Sequence, residues 1–304
     1  MCWASAGSIA LELTGARARW ILSSVDHTSS AADFLPYCDR WELADANRYF
    51  APPPMQPSVS LQSERVDGVL RWSEVTFSAD VGVEGVATVV SPASGPAVRG
   101  VVLAHGGSDD GRRFFTSEAA DLAAQGAAVI LPATQVSVEN GIDAFAADVR
   151  RAVLIERAAL DVLVDWAAAP SGGLSFLGHS GGGAIGAVLS AVEPRLARTA
   201  IFGYGAGYLA RTFSALELAR GRRLTSELAA AADWFDPARF VGVARRAHLL
   251  VQHGRLDQSV PIADGRAMYE AAASPKFWAE YDWGHGLDAD PQARHDRLQF
   301  VAHQ

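Results

Sequence analysis

The run Gly178-His179-Ser180-Gly181-Gly182 follows a short apolar stretch, 174–177, and precedes a small-residue segment, 181–192, with helical character. A serine on a sharp strand-to-helix turn presents its hydroxyl clear of the chain. Backbone passes close to backbone in such a turn, so the flanking positions must lack bulk, and Gly178 and Gly182 meet that demand. The start of the helix leaves N–H groups without intrahelical partners beside the serine oxygen, which makes Gly181 N–H a natural oxyanion donor. A rival pattern occupies the same place, since Gly181, Gly183 and Gly186 spell G-x-G-x-x-G. A dinucleotide site also needs a carboxylate at the end of the following strand. Here that strand ends Ile201-Phe202-Gly203-Tyr204, without one.

A nucleophilic serine needs a general base, and the base needs an orienting carboxylate. On a strand–turn–helix serine the chain order is serine, acid, histidine. His285 sits in Trp283-Gly284-His285-Gly286, directly after a strand and before the last helix, and is the expected base. His248 and His253 begin and end a strand and read as structural, whereas His295 and His303 fall within the last helical pattern. The acid is expected at Asp257, on the loop after the strand 248–252; Asp282 lies too close to His285 and Asp264 lies inside a helix. A second oxyanion donor is expected after the strand 101–104, in His105-Gly106-Gly107. Gly107 N–H is the preferred group, with His105 a structural hydrogen-bonding residue and Asp109 and Asp110 solvated loop charges.

The elements that must position these groups alternate. Segments 75–79 and 86–90 read as a hairpin, and 101–104, 127–131, 174–177, 200–202, 248–252 and 277–281 as further strands. Helical patterns fall at 117–125, 143–168, 181–192, 261–273 and 291–303. Strands separated by helices imply parallel pairing with right-handed crossovers. The fold class is α/β: a doubly wound, mostly parallel sheet with a helical insertion after its sixth strand, at about 204–246. Residues 1–60 form an N-terminal extension packing on the main domain, 61–304. In the extension Tyr37, Trp41 and Ala44 share one helix face, and Pro52, Pro53, Pro54 and Pro57 close it.

Composition narrows the chemistry. The 304 residues are 49% hydrophobic and 20% charged, with 26 basic against 34 acidic side chains, a net charge of −8. No basic stripe exists to hold nucleic acid or an anionic membrane surface. Lys276 is the single lysine and follows Pro275, which excludes a phosphate-cradling G-K-[ST] loop and an S-x-x-K pair. Cys2 and Cys38 make no ligand spacing and read as free thiols of a reducing compartment. No cofactor and no metal is expected. The N-terminal apolar stretch lacks a basic flank and breaks at Glu12, unlike a signal peptide. The expectation is a soluble, cytoplasmic protein acting on a small molecule; a homodimer is compatible with it.

From about residue 70 onward the chain resembles the α/β-hydrolase superfamily, most of all its dienelactone-hydrolase and prolyl-oligopeptidase-like serine hydrolases. The resemblance rests on His105-Gly106-Gly107, on Gly178 to Gly182, on Gly254 through Asp257 with Val260-Pro261, and on Gly284-His285-Gly286, in that order. It implies cofactor-free hydrolysis of an ester, thioester, lactone or amide. No blade-repeat segment precedes the domain, a departure from the peptidase branch. The same triad also serves cyclases and acyltransferases, and a non-catalytic ligand-binding protein could keep it. The insertion carries Tyr204, Tyr208, Phe213, Trp234 and Phe235, and Trp283 borders His285. Tyr204, Tyr208, Trp234 and Trp283 are therefore expected to contact an apolar or aromatic substrate. Arg211, Arg220, Arg222 and Arg223 offer the opposite reading, an anionic substrate.

Overall fold

The computed structural model describes residues 10–13, 18–21, 41–52, 56–80, 82–107, 110–273 and 275–302. Cys2, Tyr37, Cys38, Asp109 and His303 lie outside them. A small antiparallel ladder pairs β1 (Ala10–Leu13) with β2 (Ala18–Ile21). Helix α1 (Leu43–Tyr49) then leads to a nine-stranded sheet.

The first three strands of that sheet, β3 (Val59–Asp67), β4 (Leu70–Asp80) and β5 (Val83–Pro92), are antiparallel. Six strands follow: β6 (Arg99–His105), β7 (Ala127–Pro132), β8 (Leu174–His179), β9 (Leu196–Phe202), β10 (His248–Gly254) and β11 (Lys276–Tyr281). These six are mutually parallel. The spatial order is β11-β10-β9-β8-β6-β7-β5-β4-β3. The doubly wound, mostly parallel sheet expected from the alternating pattern is therefore present, with its antiparallel start. The chain winds outward from β6 in one direction and from β8 in the other. The crevice at their carboxyl ends is the switch point where such sheets hold ligands.

The alternation of each strand sorts its side chains between two layers. Val102 and Ala104 of β6 face α3 (Ile142–Asp161), while Val101 and Leu103 face the layer of α2 (Thr116–Ala124) and α9 (Pro291–Ala302). Helix α4 (Gly181–Val192) packs on β8 and β9. Helix α8 (Ile262–Ala271) links β10 to β11. The long helical segment expected at 143–168 is α3 plus one wider turn, Val162–Trp166, closed by Ala168 in a left-handed conformation (φ 54°).

Strand β3 was not expected. It is the sheet edge and its side chains are exposed along almost its whole length, so no apolar alternation marks it. The Asp67-Gly68 turn, with Gly68 at φ 60°, is the one local signal for the hairpin that joins it to β4.

The insertion after β9 folds as α5 (Tyr208–Ala219), α6 (Ser226–Trp234) and α7 (Pro237–Val241). Helix α1 lies against it and against α3. Tyr49 Oη donates to Ala146 O (2.7 Å), and Arg150 and Arg157 donate to the carbonyls of Tyr49 and Phe50. The expected face of Tyr37, Trp41 and Ala44 is corrected in part: the helix begins at Leu43, and Trp41 precedes it, edge-on to Phe240 at 5.3 Å. No described helix is long and apolar enough to cross a membrane.

Candidate active site

Ser180 caps α4 with φ 53° and ψ −123°, a region that costs a non-glycine residue about 1–3 kcal/mol. The surrounding backbone holds it there. Ser180 N–H donates to Phe202 O of β9 (2.9 Å), and Ser180 O accepts from Gly183 N–H (2.8 Å). A methyl on Gly182 would meet Ala104 O of β6 at 2.1 Å, so the elbow and β6 touch through backbone alone.

The loop after β6 packs just as closely. A methyl on Gly106 would lie 2.2 Å from Gly181 N. Gly106 N–H donates to His179 O (3.1 Å), and Gly107 follows it at φ 121°. At the first position of α4, Gly181 N–H has no intrahelical acceptor. The two expected donors thus sit on touching segments.

His285 Nδ1 lies 2.8 Å from Asp257 Oδ2. The other carboxylate oxygen, Oδ1, accepts the N–H groups of Ser259 and Val260 at 2.8 and 2.9 Å. Burial pushes the Asp257 carboxyl upward, but the hydrogen bond from His285 and those from the backbone outweigh it and hold the carboxyl below its usual range. Asp257 is therefore charged, and at 2.8 Å its Oδ2 accepts a proton carried on His285 Nδ1. The alternative acids are engaged elsewhere: Asp264 pairs with Arg211 and the exposed Asp282 with Arg255.

Two further histidines brace this geometry. His253 is fully buried at the end of β10, and its Nε2 donates to Val260 O (2.8 Å) while lying 3.6 Å from Asp257 Oδ2. Burial lowers its pKa. His179 is buried beside Ser180, with Nε2 2.8 Å from His285 O and its ring stacked on Phe114 at 4.4 Å. Burial and the neighbouring His285 push its pKa down to about 3, so it is neutral. The sequence offers no sign of the His179 contact, because it joins two loops 106 residues apart. His105, expected to be a hydrogen-bonding residue, packs instead as a ring against Phe114 (4.4 Å) and His179 (5.1 Å). Its buried Nδ1 makes no hydrogen bond. Asp110 caps the turn Gly111–Phe115 and pairs with Arg112 rather than standing as a free loop charge.

The loop carrying His285 is also held from below. Arg297 of α9 is completely buried and makes a two-pronged pair with Glu118 of α2 (2.8 and 2.9 Å). It also donates to Gln252 Oε1 (3.0 Å) and to Leu287 O (3.3 Å). Every arm of the guanidinium is thus used, the condition under which a buried ion pair is tolerated.

The four expected substrate contacts separate. Trp234 is corrected to a core residue: it is 1% exposed and enclosed by Tyr49, Phe50, Phe235 and Phe240. Tyr204 is buried against Tyr208 (5.2 Å) and the first turn of α4. Tyr208 is half-buried, and Trp283 is 39% exposed, its Nε1–H donating to Gly286 O (3.0 Å) on the His285 loop. Phe213 and Phe235 pack edge-on to Phe145 of α3 and do not reach a cleft. Of the insertion's arginines, Arg211 pairs with Asp264, and Arg220 and Arg222 share Glu217. Among the described residues no cluster of His, Cys, Asp and Glu is arranged to hold a metal ion.

No protein-family model and no curated protein sequence matches the chain. Solved structures do. An acetyl xylan esterase from Paenibacillus sp. R4 superposes with a TM-score of 0.70 at 16% identity, covering 90% of this chain and 98% of its own. Acetyl xylan esterase 1 from Thermoanaerobacterium sp. JW/SL YS485 gives 0.68 at 15% identity, over 85% and 92%. An S-formylglutathione hydrolase from Agrobacterium tumefaciens gives 0.60 at 15% identity, over 80% and 98%. The shared architecture is the α/β-hydrolase fold, and this chain has it.

Proposed function

We propose that the chain is a serine esterase in which Ser180 is the nucleophile, His285 the general base and Asp257 its orienting partner. The observation that carries this reading is the 2.8 Å contact between His285 Nδ1 and Asp257, on loops at the same carboxyl end of the parallel strands as the strained Ser180 turn. Ser180 Oγ attacks an acyl carbonyl while His285 Nε2 takes its proton. The carbonyl oxygen becomes an oxyanion received by the N–H groups of Gly107 and Gly181, each worth about 2.7–4 kcal/mol in the transition state. The imidazolium formed on His285 is steadied by Asp257 and returns its proton to the leaving alcohol or thiol. Water then enters, activated by the same histidine, and releases the acid from the acyl-serine.

The substrate in this reading is a small, uncharged ester, thioester or lactone. Three of the four arginines that could greet an anion are neutralised within the chain. The exposed indole of Trp283 lies on the histidine loop. Acyl ester and thioester hydrolases among the structural neighbours agree with this class.

The test is a fluorophosphonate probe together with a panel of acetyl, butyryl and aryl esters, thioesters and lactones. Wild type is expected to label at Ser180 and to turn over esters. Ser180→Ala should lose both, with turnover falling by at least about 10³. Labelling elsewhere, or undiminished turnover in Ser180→Ala, would defeat the assignment.

A further inference from the structure

His179 touches all three segments of the proposed machinery. It precedes Ser180 in the chain. Its backbone carbonyl accepts Gly106 N–H (3.1 Å) and so ties down the loop that offers Gly107. Its side chain reaches the histidine loop, with Nε2 2.8 Å from His285 O. A carbonyl oxygen can only accept, so the proton of His179 sits on Nε2 and Nδ1 is bare. That Nδ1 is buried and unpartnered, which leaves His285 O as the side chain's polar partner.

The ring has no room to turn away from this contact. It is stacked on Phe114 at 4.4 Å and 12°, flanked by His105 at 5.1 Å and Phe202 at 5.2 Å. A methyl on Gly203 would meet Nε2 at 3.0 Å, so the chain beneath it is cleared of side chain as well. In the sheet His179 is flanked in register by His105 of β6 and Phe202 of β9, the last residues of their strands. The imidazole is thus fixed to the rigid sheet and passes that rigidity across to a loop.

We infer that His179 is a positioning residue, whose Nε2–H holds the His285 carbonyl so that the His285 imidazole stays aligned between Asp257 and Ser180. The inference rests on the esterase reading for its kinetic consequence, while the contact itself is a property of the fold. His285 O also accepts Leu287 N–H at 3.1 Å, within its own loop. That local bond moves with the loop and cannot anchor it, whereas the bond from His179 can. A misplacement of about 1 Å in a reacting group can lower turnover by about 100-fold.

The experiment compares wild type with His179→Phe, His179→Gln and His179→Asn. Phenylalanine keeps a flat ring on Phe114 and removes the N–H. Glutamine places an amide N–H near the position of Nε2, and asparagine is one bond too short to reach. With an acetyl ester, His179→Phe is expected to lower kcat by about 10- to 100-fold with KM within about twofold. His179→Gln should recover most of the loss and His179→Asn none of it. Should His179→Phe not fold, the contrast between Gln and Asn reads the same contact.

A second readout does not depend on turnover: the low-field proton resonance of His285 Nδ1–H, which reports its alignment on Asp257. It should shift or broaden in His179→Phe and return in His179→Gln. If wild type neither hydrolyses esters nor labels with fluorophosphonate, the esterase reading fails, and the resonance alone decides the positioning role. Wild-type kcat in His179→Phe with an unmoved resonance would overturn the inference, as would equal losses in the Gln and Asn variants.

Discussion

Two regions of this molecule pack by opposite rules. At the elbow, backbone lies on backbone: Gly182 against Ala104 O, Gly106 against Gly181 N, with no side chain between. Under the insertion, rings lie on rings: Trp234 against Tyr49, Phe50 and Phe240, and Phe213 and Phe235 against Phe145. Close backbone packing leaves the two loops no room to shift against each other and so suits chemistry. Ring packing buries much apolar area and so suits stability. The first region should govern rate and the second should govern folding.

The largest expected break in that contrast is Asp257→Asn. The amide keeps the shape but no longer dictates the His285 tautomer, and kcat should fall on the order of 10⁴ with the melting temperature little changed. Ester turnover measured beside a calorimetric scan checks both halves. A loss below about tenfold would show that Asp257 is not the orienting acid.

Trp234→Ala is the mirror experiment. Removing a fully buried indole costs about 3–5 kcal/mol. The surviving folded protein, at a temperature well below its midpoint, should keep kcat and KM within about twofold. Urea denaturation gives the first quantity and initial rates the second. A large change in KM would return Trp234 to the substrate site from which its burial removes it.

The same contrast explains what could be read from the residues. The elbow turn and the pairing of Asp257 with His285 were legible because backbone packing demands glycine at fixed spacings and because both residues fall on loops directly after strands. The sheet was legible wherever both faces of a strand are buried, as in β6 to β10. Strand β3 was not, because an exposed edge carries no alternation. The fate of the insertion's aromatics was not legible either. Whether Trp234 faces a cleft or a core depends on where α1 lands, and the proline-rich connector does not encode that contact. His179 escaped notice for the same reason: its partner is a backbone carbonyl, which no residue type announces.

Buried polar groups sharpen the comparison further. Both oxygens of Glu118 are paired by Arg297, whose remaining arm donates to Gln252, whereas Glu156 of α3 has one partner, Thr134 Oγ1 at 3.2 Å, and its Oε2 has none. Burial raises the Glu156 carboxyl to about 8. The folded protein therefore holds a proton there that the unfolded chain releases near pH 4.5. This contribution to stability is complete below the unfolded value and is lost as pH rises towards about 8. Glu156→Gln, neutral at every pH, should flatten that decline and raise the melting temperature at pH 8.5 on the order of 5 °C relative to wild type. Equal slopes for both proteins between pH 5 and 8.5 would contradict a protonated Glu156.

The smallest effect is expected at the rim, where neither packing rule applies. Trp283 is exposed beside His285, and its side chain is tied to the loop through Nε1–H and Gly286 O. In the proposed mechanism His285 hands its proton to the leaving group, so a side chain on the histidine loop would meet the alcohol portion of an ester. An indole face offered to an aryl alcohol is worth about 0.5–1.5 kcal/mol, or about two- to tenfold in KM. Trp283→Ala should raise KM by that factor for aryl esters, and much less for ethyl esters, with kcat nearly constant. Trp283→Phe keeps a ring but drops the bond to Gly286 O, and should hold KM while altering kcat slightly. Esters carrying a carboxylate of equal size should have a lower kcat/KM than neutral ones, because Arg211, Arg220 and Arg222 already face Asp264 and Glu217. A preference for the anionic esters, abolished by replacing those arginines, would instead mean that the ion pairs open to receive substrate and that the site takes an acid.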